Sequence, residues 1–439
     1  MLLKNLDAYK VSTTDQAVTS FAGLPLLLGT ARSLGLEERL NALPVKERER
    51  GYKPAESIFS LMGSIQAGGE DLDDIALLQG DEGMRRLLGD FPAANTLGEF
   101  LRRFGRGAVH RFGWVVLKTA VQVIRACKLP LVTLDIDAYF LESQKDGVLM
   151  NYDGLEGYCP VMVSCAELKM PLAGAFRPGN ASPMANLASL LRRVLRQLSG
   201  LRMRARSDSA GYQAKVIREF DRAGVNFTIT ARKDDAVLAA IRSIPKKAWK
   251  TYDSPAYPHQ GSEIAETVHA FGEADKDIAA FRLVVVRWPE KPQGELFEKE
   301  HFEYHAVATR FTWEAGLVLQ FHRNRQDGSE NVNKEMKTEG GFGLSKLPCR
   351  DFMANAAYFQ IATLSAVVTA AFKHLVLPKG WQRFTIQTLR HRLIRLAGTV
   401  CRKSRYLWLK IPEGYPYRQI FEEARYGVLG VGVAIGSTG

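Results

Sequence analysis

Leu131-Val132-Thr133-Leu134-Asp135-Ile136-Asp137 decides the fold. The run is apolar and β-branched until it meets two carboxylates, and it reads as a buried strand with an acidic end. Side chains alternate along a strand, so Asp135 and Asp137 share one face. Asp is a poor strand residue and is costly to bury unless paired or metal-bound. Either a solvated strand terminus or a functional pair meets that cost.

Outward from this strand the pattern stays regular. Gly147 to Tyr152, Val161 to Cys165 and Leu172 to Arg177 read as further strands of an antiparallel meander punctuated by Gly and Pro. A helix follows over Pro183 to Leu198, with Arg192, Arg193 and Arg196 on one side. Leu201 to Ser207 returns to strand and runs into Asp208. Tyr212 to Ala223 is helical and Asn226 to Thr230 is a strand, so the meander passes into alternating strands and helices, the mark of a mixed α/β sheet.

From about 245 to 320 the chain becomes β-rich, with Phe281 to Trp288 and His301 to Arg310 as its clearest strands. Helical periodicity resumes at Asn331, so this segment reads as an insertion into the α/β domain. Residues 1 to about 125 read as short helices with Gly turns and a basic rim at Arg102, Arg103, Arg106 and Arg111, similar to DNA-binding helical modules. A helix ends at Gly35, another spans Pro54 to Ile65, and Thr96 with Glu99 has capping-box spacing. The last third holds helices over Phe352 to His374 and Ile386 to Leu396, then a hairpin over Gly398 to Cys401 and Tyr406 to Ile411. The tail from Gly427 is Gly-rich and is expected to be mobile. The expected divisions are 1–125 (helical, DNA-binding), 126–245 (core, first part), 246–320 (insertion), 321–375 (core, second part) and 376–439 (dimerisation or DNA contact).

Composition bounds the function. The 439 residues are 46% hydrophobic and 24% charged, which excludes a disordered or collagen-like chain. Five scattered Cys, with no CxxC, argue against a disulfide framework or zinc finger and fit a reducing cytosol. Lys and Arg total 59 against 47 Asp and Glu, a formal charge of +12 that favours a polyanionic partner. Met1 to Asp7 is too short and polar for a signal peptide. The apolar stretch Met353 to Phe372 is interrupted by Asn355, Tyr358, Gln360, Thr363, Ser365 and Thr369, and reads as a buried core helix rather than a membrane span.

Three acidic positions are candidates for chemistry. Asp137, with Asp135 as the alternative, ends the first strand. Asp208 lies where a strand gives way to a helix, the place for a plain helix cap as well. Glu330 lies in Ser329 to Lys337, where positions 330, 333, 334 and 337 share a helical face, as a solvated salt-bridged face also would. Asp208 follows Asp137 by 71 residues and Glu330 follows Asp208 by 122.

That order resembles the ribonuclease H-like DDE transposases of bacterial insertion sequences, in the cut-and-paste group with a β-strand insertion between the second Asp and the Glu. Leu134 to Ala138, Asn151 to Tyr158, Arg206 to Ala210, Glu330 to Lys337, and Gly343 to Arg350 continuing through Asn355 to Ala357 carry the likeness. The family signature Tyr-x2-Arg-x3-Glu-x6-Lys is matched at Glu330 and Lys337. His322 stands for Tyr, Arg325 is one residue too far from Glu330, and the Arg remains open between Arg323 and Arg325. Glu335 is the fallback for Glu330.

The resemblance implies a ribonuclease H-like catalytic core and two Mg²⁺ ions, with Mn²⁺ as a substitute, held by Asp137, Asp208 and Glu330. It implies phosphate contacts from Arg325 and Lys337, and a base-stacking aromatic from the insertion, Trp288 or Trp313. It also implies transposon-end and target DNA as partners, a homodimer on DNA, cleavage through a hairpin intermediate, and a cytoplasmic protein that does not enter membranes. Another ribonuclease H-like nuclease or resolvase, or an inactive DNA-binding relative, are the competing readings.

Overall fold

The computed structural model describes residues 10–46, 51–151, 154–182, 185–289, 302–325 and 331–436. The N-terminal part holds a short strand β1 (Ala17–Thr19) and helices α1 (Leu24–Ser33), α2 (Leu36–Asn41), α3 (Pro54–Ala67), α4 (Ile75–Gln79), α5 (Glu82–Leu88), α6 (Ala94–Arg102) and α7 (Arg106–Ala126). The central part holds β2 (Val132–Ala138), β3 (Leu141–Glu142), β4 (Leu149–Met150), β5 (Glu156–Tyr158), β6 (Val161–Cys165), β7 (Met170–Ala175), α8 (Leu187–Gln197), β8 (Met203–Ser207), α9 (Ala214–Arg222) and β9 (Asn226–Thr230). Next come α10 (Asp235–Arg242), β10 (Lys250–Thr251), β11 (Glu263–His269), β12 (Phe281–Pro289), β13 (Phe302–Thr309), α11 (Ala315–Arg323) and α12 (Asn331–Lys337). The chain closes with α13 (Phe352–Ala371), α14 (Ile386–Leu389), β14 (Gly398–Lys403), β15 (Tyr406–Lys410) and α15 (Arg418–Gly436).

One nine-stranded sheet organises the molecule, in the order β10-β11-β12-β13-β9-β8-β2-β6-β7. Strands β2, β6 and β7 form the antiparallel meander, and β8 and β9 run parallel beside β2. This is the mixed α/β sheet that the sequence pattern leads one to expect. The β-rich insertion is not a separate lobe: β13 pairs antiparallel with β9, so β10 to β13 lengthen the main sheet. A second apolar cluster, with Val284, Val286, Val307, Val318 and Leu319, packs α11 onto the inserted strands.

The stretch Gly147 to Tyr152 departs from the expected meander. Only Leu149–Met150 is strand there, in a small sheet ordered β3-β5-β4, and Tyr152 lies outside the described residues. Leu149 and Met150 stay exposed in this small sheet, whereas the β6 strand of the main sheet is wholly buried.

The N-terminal helices share the main hydrophobic core with the sheet instead of forming a detached module. Helix α13 runs through that core, buried along nearly its whole length, and contacts α3, α6, α7 and β7. It is long and apolar enough to cross a membrane, but its apolar surface is spent on protein neighbours. Thr96 does not cap α6: the helix begins at Ala94, two residues earlier. The C-terminal tail is also not loose through residue 436, because α15 spans Arg418–Gly436 and buries Phe421, Ala424, Val428 and Val431 at helical spacing. A third sheet, ordered β1-β14-β15, ties the N-terminal strand to the C-terminal hairpin.

Candidate active site

Two parallel strands bring the first two acids together. In the β2–β8 ladder Leu134 stands opposite Ala205, Asp135 opposite Arg206 and Ile136 opposite Ser207. One step further along both strands come Asp137 and Asp208. Neighbouring strands lie ~4.8 Å apart, and registered residues face the same side of the sheet, so the two carboxylates are adjacent. Asp208 leaves β8 and starts a tight turn, Ser209–Gly211, in which its Oδ1 accepts the Ala210 amide at 3.0 Å. The cap reading and the site reading of Asp208 are therefore compatible. A side chain at Gly211 would collide with Ser207, whose Oγ lies 2.4 Å from the position a Cβ would take; the turn that aims Asp208 needs glycine there.

Asp135 has a different fate. It is fully buried, and Arg206 donates from Nε at 2.6 Å and Nη2 at 2.8 Å to its two oxygens. Burial pushes its pKa up, and the Arg206 guanidinium opposes that. Arg206 also donates from Nη1 to the Phe321 carbonyl at 3.0 Å, so the pair fastens the end of α11 to the sheet. The carboxylate of Asp135 is committed to this ion pair, whereas Asp137 is part-exposed one strand turn further on.

Helix α11 is set by histidine packing. His322, in the position of the family's Tyr, is buried and bonds Thr230 at 2.9 Å and Thr228 at 3.1 Å, both on β9. His305 on β13 bonds Tyr257 at 2.7 Å and lies with its ring 5.8 Å from His322. Burial holds both imidazoles far below their usual pKa, His305 at about 4. With α11 so anchored, Arg325 reaches Asp137, with Nη1 3.5 Å from Oδ1. Arg323 is exposed, and its charge bears on Tyr257 and His305 instead. Of the two arginines left open by the sequence, Arg325 is the one that lies beside Asp137.

Helix α12 closes the site from the far side. Asn333 donates from Nδ2 to Asp137 Oδ2 at 3.1 Å. Asn333 was not singled out, although the spacing that groups 330, 333, 334 and 337 on one face includes it. Val332 and Met336 bury the opposite side of α12. Lys337, one turn beyond Asn333, is exposed. Glu330, one turn before it, lies outside the described residues. Glu335 does not join the acids. It lines a separate cavity of about 320 Å³ with Lys169, Lys373 and Phe384, where burial raises its pKa and Lys373 opposes the rise.

The remaining candidates lie apart. Trp313 stacks on Phe311 at 3.9 Å and meets Phe321 edge-on at 5.5 Å, inside the second core. Trp288 is half-buried and stacks flat on His259 at 4.1 Å. Arg102 is exposed at the end of α6, and Arg103 lies over the Phe100 ring and donates to the Lys46 carbonyl at 3.2 Å. Of the basic run after α8's start, Arg192 pairs with Glu219 at 2.7 Å, Arg193 covers Trp114, and Arg204 bonds Thr133 at 2.7 Å.

The donor chemistry suits a hard cation. Asp137 and Asp208 offer carboxylate oxygens at neighbouring strand ends, and Mg²⁺ prefers such oxygens together with retained water. Among the described residues no group of three His, Cys, Asp or Glu side chains converges, and Glu330 lies outside them.

The family model described as "Transposase DDE domain group 1" matches residues 5–428. No curated protein matches the chain. Among solved structures, the cryo-EM structure of a piggyBac transposase synaptic complex with hairpin DNA aligns over 87% of this chain and 82% of that one, at 12% identity and a TM-score of 0.49.

Proposed function

Because this chain belongs to the transposase DDE domain group 1 family, we propose that it is an Mg²⁺-dependent DNA transposase of a bacterial insertion sequence, working by cut-and-paste on paired transposon ends. The observation that carries the reading is the registered pair Asp137 and Asp208 beneath Arg325 and Asn333. Asp137, Asp208 and Glu330 would hold the metal ions, which supply an activated oxygen nucleophile and a stabilised leaving oxygen.

The chain's own groups do the positioning. Asn333 fixes the Asp137 carboxylate by one oxygen while Arg325 faces the other. Arg325, just past α11 and beside Asp137, and Lys337, on the exposed face of α12, would contact the scissile phosphate. Water adds to phosphorus as the 3′-oxygen departs and takes up a proton. The freed 3′-hydroxyl would then attack the phosphorus of the opposite strand, displacing the 3′-oxygen of the flanking nucleotide, which takes up a proton, so that the two strands of the end close in a hairpin, and a second hydrolysis would open it. The flanking bases would be steadied by the insertion, where Trp288 is the more accessible aromatic. Two copies of the chain would hold the two ends.

The test is incubation with Mg²⁺ and DNA carrying both flanks of the protein's own gene, followed by mapping of the ends. Cuts at the terminal repeats and joined target products are expected. Asp208→Ala should abolish cleavage and spare end binding; cleavage that survives it would sink the site assignment. Cleavage without joining would favour a ribonuclease H-like nuclease instead.

A further inference from the structure

The C-terminal hairpin is not used by any of this. Strands β14 and β15 pair so that Thr399 faces Lys410, Cys401 faces Trp408 and Lys403 faces Tyr406. Directly opposed residues share one face of an antiparallel sheet. Val18 on β1 stands opposite Thr399 and joins that face, while its neighbours Ala17 and Thr19 are buried on the other. The outward face therefore carries Val18, Lys403, Tyr406, Trp408 and Lys410. Tyr406 is 59% exposed and Trp408 52%, unusual for large aromatics on a folded protein.

Each ring has a cation beside it. Arg405 lies 5.3 Å from the Tyr406 centroid and Lys403 5.7 Å from that of Trp408. The surrounding sequence is one-signed: residues 352–412 contain ten Lys and Arg and no Asp or Glu. Some of these build the fold, as Arg390 does by donating to four main-chain carbonyls. Arg402, Lys403, Arg405 and Lys410 on the hairpin are all exposed.

We infer that this face binds unpaired nucleotides of a DNA strand, stacking bases on Tyr406 and Trp408 and holding phosphates with Lys403, Arg405 and Lys410. Residues two apart on one strand project the same way at ~6.6 Å, so the rings form a short stacking platform. Aromatic platforms read the flat face of a base, which duplex DNA keeps covered, and flanking cations track the backbone. A second copy of the chain is a poorer occupant. A two-fold contact would bring these three cations close to their own copies. The inference rests on the DNA transposase reading and extends it to the open strand exposed when an end is cut.

The test uses the full chain and a fluorescently labelled oligothymidylate, read by anisotropy. Tyr406→Ala with Trp408→Ala should weaken oligothymidylate binding by about tenfold or more. Tyr406→Phe with Trp408→Phe, which keeps the rings, should restore it. Circular dichroism and melting confirm that each variant is folded. Unchanged affinity in the alanine variant, or no oligothymidylate binding by the wild type, overturns the inference. So does a fall from dimer to monomer in the alanine variant with affinity intact. Duplex end cleavage is scored in parallel. Its absence from the wild type would count against the transposase reading, and the oligothymidylate result would still decide this one.

Discussion

Arg206 holds Asp135 by both carboxylate oxygens, at 2.6 and 2.8 Å, two residues before β2 and β8 deliver Asp137 and Asp208. The two acids of one short motif thus divide their work: the inner one ties strand to strand and to α11, and the outer one faces the site.

Breaking that inner pair should damage the fold before the chemistry. Removing one partner of a buried ion pair leaves the other charge uncompensated and costs about 3–5 kcal/mol. Arg206→Ala is therefore expected to lower the urea midpoint sharply. The double change Asp135→Leu with Arg206→Met should recover a large part of the loss. A midpoint unmoved by Arg206→Ala would show that the pair does not fasten the sheet.

The outer acid should behave in the opposite way. Asp137→Ala is expected to reduce Mg²⁺-dependent cleavage to background with little change in melting temperature. Asn333→Ala, which frees one Asp137 oxygen, should lower cleavage about 10- to 100-fold, as for other residues that orient a metal ligand. Both are read by end-labelled DNA cleavage at saturating Mg²⁺. Wild-type rates in Asn333→Ala would remove Asn333 from the site.

Acid should loosen the floor of the site. His305 and His322 stay neutral in the folded chain to well below pH 6.5, His305 to about 4, whereas both charge near 6.5 when unfolded. Between pH 6.5 and about 4 the unfolded state binds more protons, so stability is full above 6.5 and falls as pH drops through that window. The slope is at most ~1.4 kcal/mol per pH unit for each group. Urea titrations at pH 7, 6 and 5 should show the decline, and His305→Gln should flatten it. An equal slope in that variant would place the acid sensitivity elsewhere.

Binding to terminal-repeat duplex should weaken steeply with salt. Each phosphate neutralised by Lys or Arg contributes ~0.9 to the negative slope of log affinity against log salt. Lys337→Ala is expected to reduce the slope by about one. A flat salt profile would deny the surplus of 59 cationic over 47 acidic residues any part in DNA binding.

Much of the core was legible because it depends on local pattern. Asn226–Thr230 is a strand at the bounds its alternation suggests, and Asp137 and Asp208 stand out as acids where strands end. What the pattern hides is partnership over distance. Nothing local tells Asp135 from Asp137; only Arg206, brought alongside by the parallel register, does so. Nothing local shows that β13 continues the core sheet through β9, because an edge strand and an added strand have the same alternation. The glycines after 426 weaken helix propensity, yet α15 forms because its packing on α1 overrides that cost. Gly29 sits where a Cβ would touch Val428 at 3.0 Å, so small residues allow that close approach.

The pairing of β1 with β14 sets an order of events during synthesis. Ala17 finds its sheet partner only at Val400, and the Ser33 hydroxyl caps the carbonyl of Val428. A ribosome extends the chain N-terminus first, so β1 must wait, unpaired, until β14 has emerged about 380 residues later. Such distant closures are slow and leave apolar surface exposed meanwhile. Fragments ending before β14 would carry α1 without its covering helix, and only a chain that extends through α15 can lock these distant elements together.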